Sequence, residues 1–287
     1  MLREGSIQAP DGRTLVYLER GDPDAPAVVF NHGTPGCRLS RHPDEGVYRG
    51  IRAIYYDRPG YGRSDPSPGR GVASAAADVA SIADALEVER FGIFGVSGGG
   101  PHALACAALL SERVTRAAVL VGAAPADDPE FDFLAGMTEL NLKELGAALT
   151  SPEALAAELA PFVEMLATDP EAELDHIAAE LPESDRRTLA HPGVREAVST
   201  AMREAVAQGD RGWADDDLAF VKPWGFQLED VACEVRLWQG DLDVLVPRAH
   251  GEYLERRLPN ATFELVPAQG HFIYGYWPAA LAWLAAG

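Results

Sequence analysis

The sequence predicts an α/β protein in which a mostly parallel sheet, flanked by helices, is interrupted by an inserted helical segment. Three observations carry this expectation. Short apolar runs without clean polar alternation recur along the chain, the pattern of parallel strands covered on both faces. Helical patterns fall between those runs, which implies βαβ units. A central block of about 90 residues then loses the β-branched runs and becomes rich in Ala, Leu and Glu before the alternation resumes.

The expected strands are, in order, Thr14 to Glu19, Ala27 to Phe30, Ile51 to Tyr55, Phe91 to Phe94 and Ala117 to Val121, then Val235 to Gln239 and Thr262 to Val266. Val79, Ile82, Ala83 and Leu86 recur at i, i+3, i+4 and i+7 and form one apolar helical stripe. Pro101 to Leu110 has strong helix propensity, and helices are expected at about Ala249–Leu258 and Ala279–Ala286. Inside the central block, Ser151-Pro152 and Asp169-Pro170 pair a capping side chain with proline at the first helical position. Leu155, Leu159, Phe162, Val163 and Leu166 follow the first of these; Leu174, Ile177 and Leu181 follow the second. Val194, Val198, Ala201, Met202 and Ala205 suggest another helix. The domain reading is therefore a core formed by 1–125 and 218–287, with a helical cap at 126–217.

The 287 residues, 47% of them apolar, suffice for one large core. Cys37, Cys106 and Cys233 are odd in number and widely spaced, so reduced packed thiols are expected rather than a disulfide framework or a zinc site. No apolar run approaches the length of a membrane helix and no leader-like stretch opens the sequence, so a soluble, cytoplasmic chain is expected. The net charge of −20 disfavours nucleic acid and anionic membranes as partners. Most of that charge lies between Ala126 and Asp217, which hold 22 Asp or Glu against 6 Lys or Arg. The acidic faces there are expected to point outward into solvent.

Gly95-Val96-Ser97-Gly98-Gly99 fits G-x-S-x-G directly after one strand and before a helix. A sharp turn in that position exposes the serine hydroxyl in a strained backbone, and the crowding explains the flanking glycines. The helix N-terminus behind it offers N–H groups to a developing oxyanion. His32-Gly33-Thr34-Pro35-Gly36 follows another buried strand, and Asp57-Arg58-Pro59-Gly60-Tyr61-Gly62-Arg63-Ser64 follows the next. Gly240-Asp241-Leu242-Asp243 runs into Val246-Pro247, and Gly270-His271 lies after the last strand.

These five segments and their order resemble the α/β-hydrolase superfamily over nearly the whole chain outside the insertion. The resemblance implies the α/β-hydrolase fold and a serine hydrolase, with Ser97 as nucleophile, His271 as general base and Asp243, rather than Asp241, as the acid. It also implies an oxyanion hole from the backbone N–H groups of Thr34 and Gly98. His32 is expected to brace its loop, Asp57 and Arg58 to bond locally, and His102 to pack. His42, His176, His191 and His250 are expected at the surface. Phe131, Phe133, Met137 and Trp213 are candidates for the pocket wall.

The reaction expected is hydrolysis of a small-molecule carboxylic ester through an acyl-enzyme, without cofactor or metal. The alternative is an aminopeptidase similar to proline iminopeptidases, whose acidic cap binds the substrate's free amine. Two departures stand against it: Thr34 occupies a position where those enzymes typically carry glycine, and Gly98 a position where tryptophan is common. A triad-bearing lyase, a cofactor-free haloperoxidase or a non-enzymatic ligand receptor follows behind.

Overall fold

The computed structural model describes residues 2–287, and the sheet forms as expected with one strand more. Strands β1 (Leu2–Gln8), β2 (Thr14–Gly21), β3 (Ala27–Asn31) and β4 (Arg52–Tyr56) are followed by β5 (Phe91–Val96), β6 (Val114–Leu120), β7 (Glu234–Gly240) and β8 (Ala261–Val266). They lie in the order β1-β2-β4-β3-β5-β6-β7-β8. β2 pairs antiparallel with both β1 and β4, and every later pairing is parallel. β1 was not expected. It is an edge strand whose residues stay largely exposed, so it lacks the apolar run that betrays a buried strand.

Successive strand residues feed opposite faces. Val29, Ile54 and Ile93 pack against helices α1 (Ser74–Ala85) and α2 (Gly99–Leu109), with α9 (Arg248–Arg257) completing that side. Val28, Phe30, Tyr55 and Phe94 pack on the other face against Trp277, Leu281 and Leu284 of α10 (Trp277–Ala285). This two-sided burial is why the strands read as continuous apolar runs.

Between β6 and β7 the chain forms α3 (Glu139–Thr150), α4 (Pro152–Thr168), α5 (Pro170–Ala178), α6 (Glu183–Ala190), α7 (Pro192–Ala205) and α8 (Arg211–Phe220). Thr138, Ser151 and Asp169 cap α3, α4 and α5 by accepting from the backbone N–H three residues on. α4, α5 and α7 were legible in the sequence. α3, α6 and α8 were not, because acidic residues interrupt their apolar stripes. Leu155, Leu159 and Leu166 of α4 meet Ala201, Ala205 and Trp213, and this cluster extends onto Cys37 and Tyr61 of the sheet domain's loops. None of the helices among the described residues is long and apolar enough to cross a membrane.

Candidate active site

The β5–α2 turn puts Ser97 at φ 54°, a left-handed conformation that non-glycine residues rarely adopt. Side chains at Gly95 or Gly99 would collide with backbone: Gly95 sits against the Gly99 carbonyl, and Gly99 against the carbonyls of Asn31 and His32. Ser97 is anchored by its own N–H, which donates to the Leu120 carbonyl at 2.9 Å. Gly98 abuts the Thr34 side chain, so any larger residue there would strike Thr34. The threonine in the β3 loop and the glycine after the serine are thus a matched pair. The backbone N–H groups of Thr34 and Gly98 have no acceptor among the described residues.

His271, in the loop after β8, faces Asp243, in the loop after β7, with Nδ1 2.8 Å from Oδ2. Asp243 also accepts from Gln239 Nε2 at 2.8 Å and from the N–H groups of Leu245 and Val246, both at 2.9 Å. Four donors around one carboxylate fix its orientation. The competing Asp241 is exposed on the same loop. Burial by itself pushes the His271 imidazole down, but the Asp243 charge and hydrogen bond, with the Asp185 charge, outweigh it and leave the pKa raised. The acid limb of a pH–rate profile should therefore lie above the ordinary histidine value of about 6.5. A kcat/KM profile whose limb falls at or below that value would contradict this balance.

Ser97 and His271 line one cavity of about 250 Å³, together with Thr34 and Gly98. Its walls include Phe133, Met137 and Phe162 from the insertion, and Trp213 and Phe220 from α8. Phe131 is not part of this wall; it packs against His250 and Tyr253 instead. His250 is itself a correction. It is fully buried, accepts from the Ala124 N–H at 3.1 Å and is held neutral by burial, with its pKa pushed down to about 4. His42 is half-buried against Tyr274 and Trp277, whereas His176 and His191 are exposed. His32 braces its loop: its Nε2 accepts from the Arg58 N–H at 3.2 Å.

The acidic block does not simply face solvent. Asp216 of α8 is fully buried and gathers Arg58 Nη2 at 2.5 Å, Arg70 Nη1 at 2.6 Å, the Thr34 hydroxyl at 2.8 Å, the Tyr61 hydroxyl at 2.9 Å and His102 Nε2 at 3.1 Å. Desolvation would raise its pKa, yet the two guanidinium groups hold it well below the usual carboxylate range. Arg58 also donates to the carbonyls of His32 and Gly33. The bonds of Arg58 thus extend beyond its own loop to the insertion. Asp57 is bound nearer home, by the Arg38 guanidinium at 2.8 Å and the Arg63 N–H at 2.9 Å.

Glu144 of α3 and Asp217 of α8 bring two carboxyl groups to the cavity wall. Trp213 Nε1 donates to Glu144 Oε1 at 2.6 Å. Burial raises both pKa values, and at Asp217 the neighbouring Glu144 raises it further, so the pair keeps a proton to higher pH than free carboxylates do. The folded protein then holds a proton that the unfolded chain releases, and stability falls as pH rises from about 4 toward the raised folded value. Asp217→Asn should flatten that fall, read as urea midpoints at about pH 5 and about pH 8. An unchanged slope would mean that no proton is shared. Sequence reasoning missed this pair. The available signal was the i, i+4 spacing of Trp213 and Asp217, which puts both on one face of α8.

Residues 26–276 match the family described as alpha/beta hydrolase fold. The chain is 38% identical over 128 residues to a non-heme chloroperoxidase of Streptomyces lividans, covering 42% of this chain and 45% of that protein. It is 34% identical over 113 residues to a proline iminopeptidase of Xanthomonas citri, covering 37% and 35%. The match thus spans less than half the length of either relative. An esterase of Exiguobacterium antarcticum superposes over 98% of this chain and 99% of its own, with a TM-score of 0.70 at 20% identity, a likeness of fold. The family match over most of the sequence, with this sheet order, makes the chain a member of the α/β-hydrolase fold family.

Proposed function

We propose that this hydrolase cleaves small-molecule carboxylic esters through a Ser97–His271–Asp243 triad. The observation that carries the reading is the oriented His271–Asp243 pair sharing one cavity with a serine held in a strained turn. Ser97 Oγ attacks the acyl carbonyl carbon while His271 Nε2 takes its proton. Asp243 holds the imidazole by Nδ1 and stabilises its positive charge. The N–H groups of Thr34 and Gly98 receive the oxyanion. His271 then protonates the leaving alkoxide, and water attacks the acyl-enzyme by the reverse sequence to release the acid.

In this reading residues 126–217 form the cap that shapes specificity. A cavity of about 250 Å³, walled mainly by apolar and aromatic side chains, suits a short acyl group better than a drug-sized one. The test is turnover of p-nitrophenyl acetate, butyrate and octanoate by the wild type and by Ser97→Ala. Ester cleavage lost in the variant supports the proposal; silence on all three esters would refute it.

One observation favours a second reading, an aminopeptidase similar to proline iminopeptidases. The Glu144–Asp217 pair would offer a substrate's ammonium group a place within the same cavity. Cleavage of proline p-nitroanilide without cleavage of the esters would put this reading first.

A further inference from the structure

The loop carrying His271 is held from outside the sheet domain. Asp185, on α6 of the insertion, is buried at 1% exposure. Its Oδ2 accepts from the His271 N–H at 2.8 Å, and its Oδ1 accepts from the Phe272 N–H at 2.9 Å. One carboxylate thus grips two consecutive amides and fixes the peptide plane from which the imidazole projects. Asp243 grips the same residue at the other end, through Nδ1. The neighbouring Arg186 is turned away, to Glu183 and the Leu181 carbonyl. Gly270 adds an independent sign of the fit. A methyl group there would run into the Asp185 carboxylate, so the loop passes α6 only without a side chain at that position.

We propose that Asp185 is a positioning residue for catalysis, through which the helical insertion sets the orientation of His271. This rests on the reading of His271 as general base. The insertion then does more than wall the cavity: displacing α6 would release the histidine loop and with it the base. The charged groups facing the imidazole are Asp243, from the loop after β7, and Asp185, from α6. Both stabilise its protonated form, so removing the Asp185 charge should ease deprotonation.

The test compares kcat, KM and the pH profile of ester turnover in wild type, Asp185→Asn and Gly270→Ala. Asn keeps the shape but turns an NH₂ toward one of the two amide donors. We expect Asp185→Asn to lower kcat by about 10-fold or more, as a misaligned base does, with KM within about twofold and the acid limb moved to lower pH. Gly270→Ala should lower kcat in the same direction. The two losses should also fail to add when Gly270→Ala is placed in an Asp185→Ala background, where the methyl has no carboxylate to meet. A folded Asp185→Asn enzyme with wild-type kcat and an unmoved acid limb would overturn the proposal. If that variant does not fold, full kcat in Gly270→Ala overturns it. Turnover retained by Ser97→Ala would instead overturn the triad reading, and this proposal with it.

Discussion

Replacing Ser97 with alanine is expected to lower kcat on a cleaved ester by about 10⁵-fold, because nucleophile and base act as a unit and either loss removes the acyl-enzyme route. Stability should change by less than about 1 kcal/mol. The backbone at φ 54° is as strained for alanine as for serine, and the anchoring bond from the Ser97 N–H to Leu120 survives the change. The pairing of a catalytic collapse with an unmoved urea midpoint is the signature to seek. A variant with wild-type kcat would remove Ser97 from the mechanism. A variant that loses activity and unfolds together would leave the serine a structural part.

The opposite signature is expected at Asp216. Asp216→Ala leaves the Arg58 and Arg70 guanidinium groups, at 1% and 7% exposure, without their central partner. Breaking a buried pair by removing one member costs about 3–5 kcal/mol, far more than the pair contributes relative to an apolar replacement. The loss should appear as a large drop in the urea midpoint at neutral pH. The sign with pH follows from the depressed pKa. The stabilisation from Asp216 is present above the unfolded carboxylate value of about 3.9 and is lost as pH falls through the folded one. Wild type and Asp216→Ala should therefore converge in stability only below about pH 4. Similar midpoints at pH 7 would show that Arg58 and Arg70 find other acceptors. Activity should fall as well, because Asp216 holds the Thr34 hydroxyl and, through Arg58, the carbonyls of His32 and Gly33.

Much of this protein was legible in its residues. Strands buried on both faces must be apolar at every position, so Val28-Val29-Phe30 and Phe91 to Phe94 announced themselves. Helices that begin with a capping side chain and proline, as at Ser151-Pro152 and Asp169-Pro170, could be placed to the residue. Asp243 was separable from Asp241 only through the resemblance to the family, whose motif sets its spacing to Val246-Pro247, and it is Asp243 whose carboxylate reaches His271. Such signals are local: each depends on chain geometry within a few residues, which the sequence states directly.

The destination of the acidic side chains was not local, and there the sequence misled. A run such as Asp215-Asp216-Asp217 reads as a solvated face, because an isolated carboxylate cannot be buried without a counter-charge. Its counter-charges are Arg58 and Arg70, more than 140 positions earlier, and only the packing of α8 onto the loops around β4 brings them together. His250 was misplaced for the same reason: its cover comes from Phe131 and Phe133, at the far end of the insertion from it. The sequence by itself determined seven of the eight strands, the order of the candidate triad and the glycines flanking Ser97, through strand burial, the family's motif order and short-range sterics. The tertiary structure alone decided which carboxylates of the insertion turn inward to Arg58, to the His271 loop and to the cavity. The energy of a buried charge depends on partners that meet only when the chain has closed.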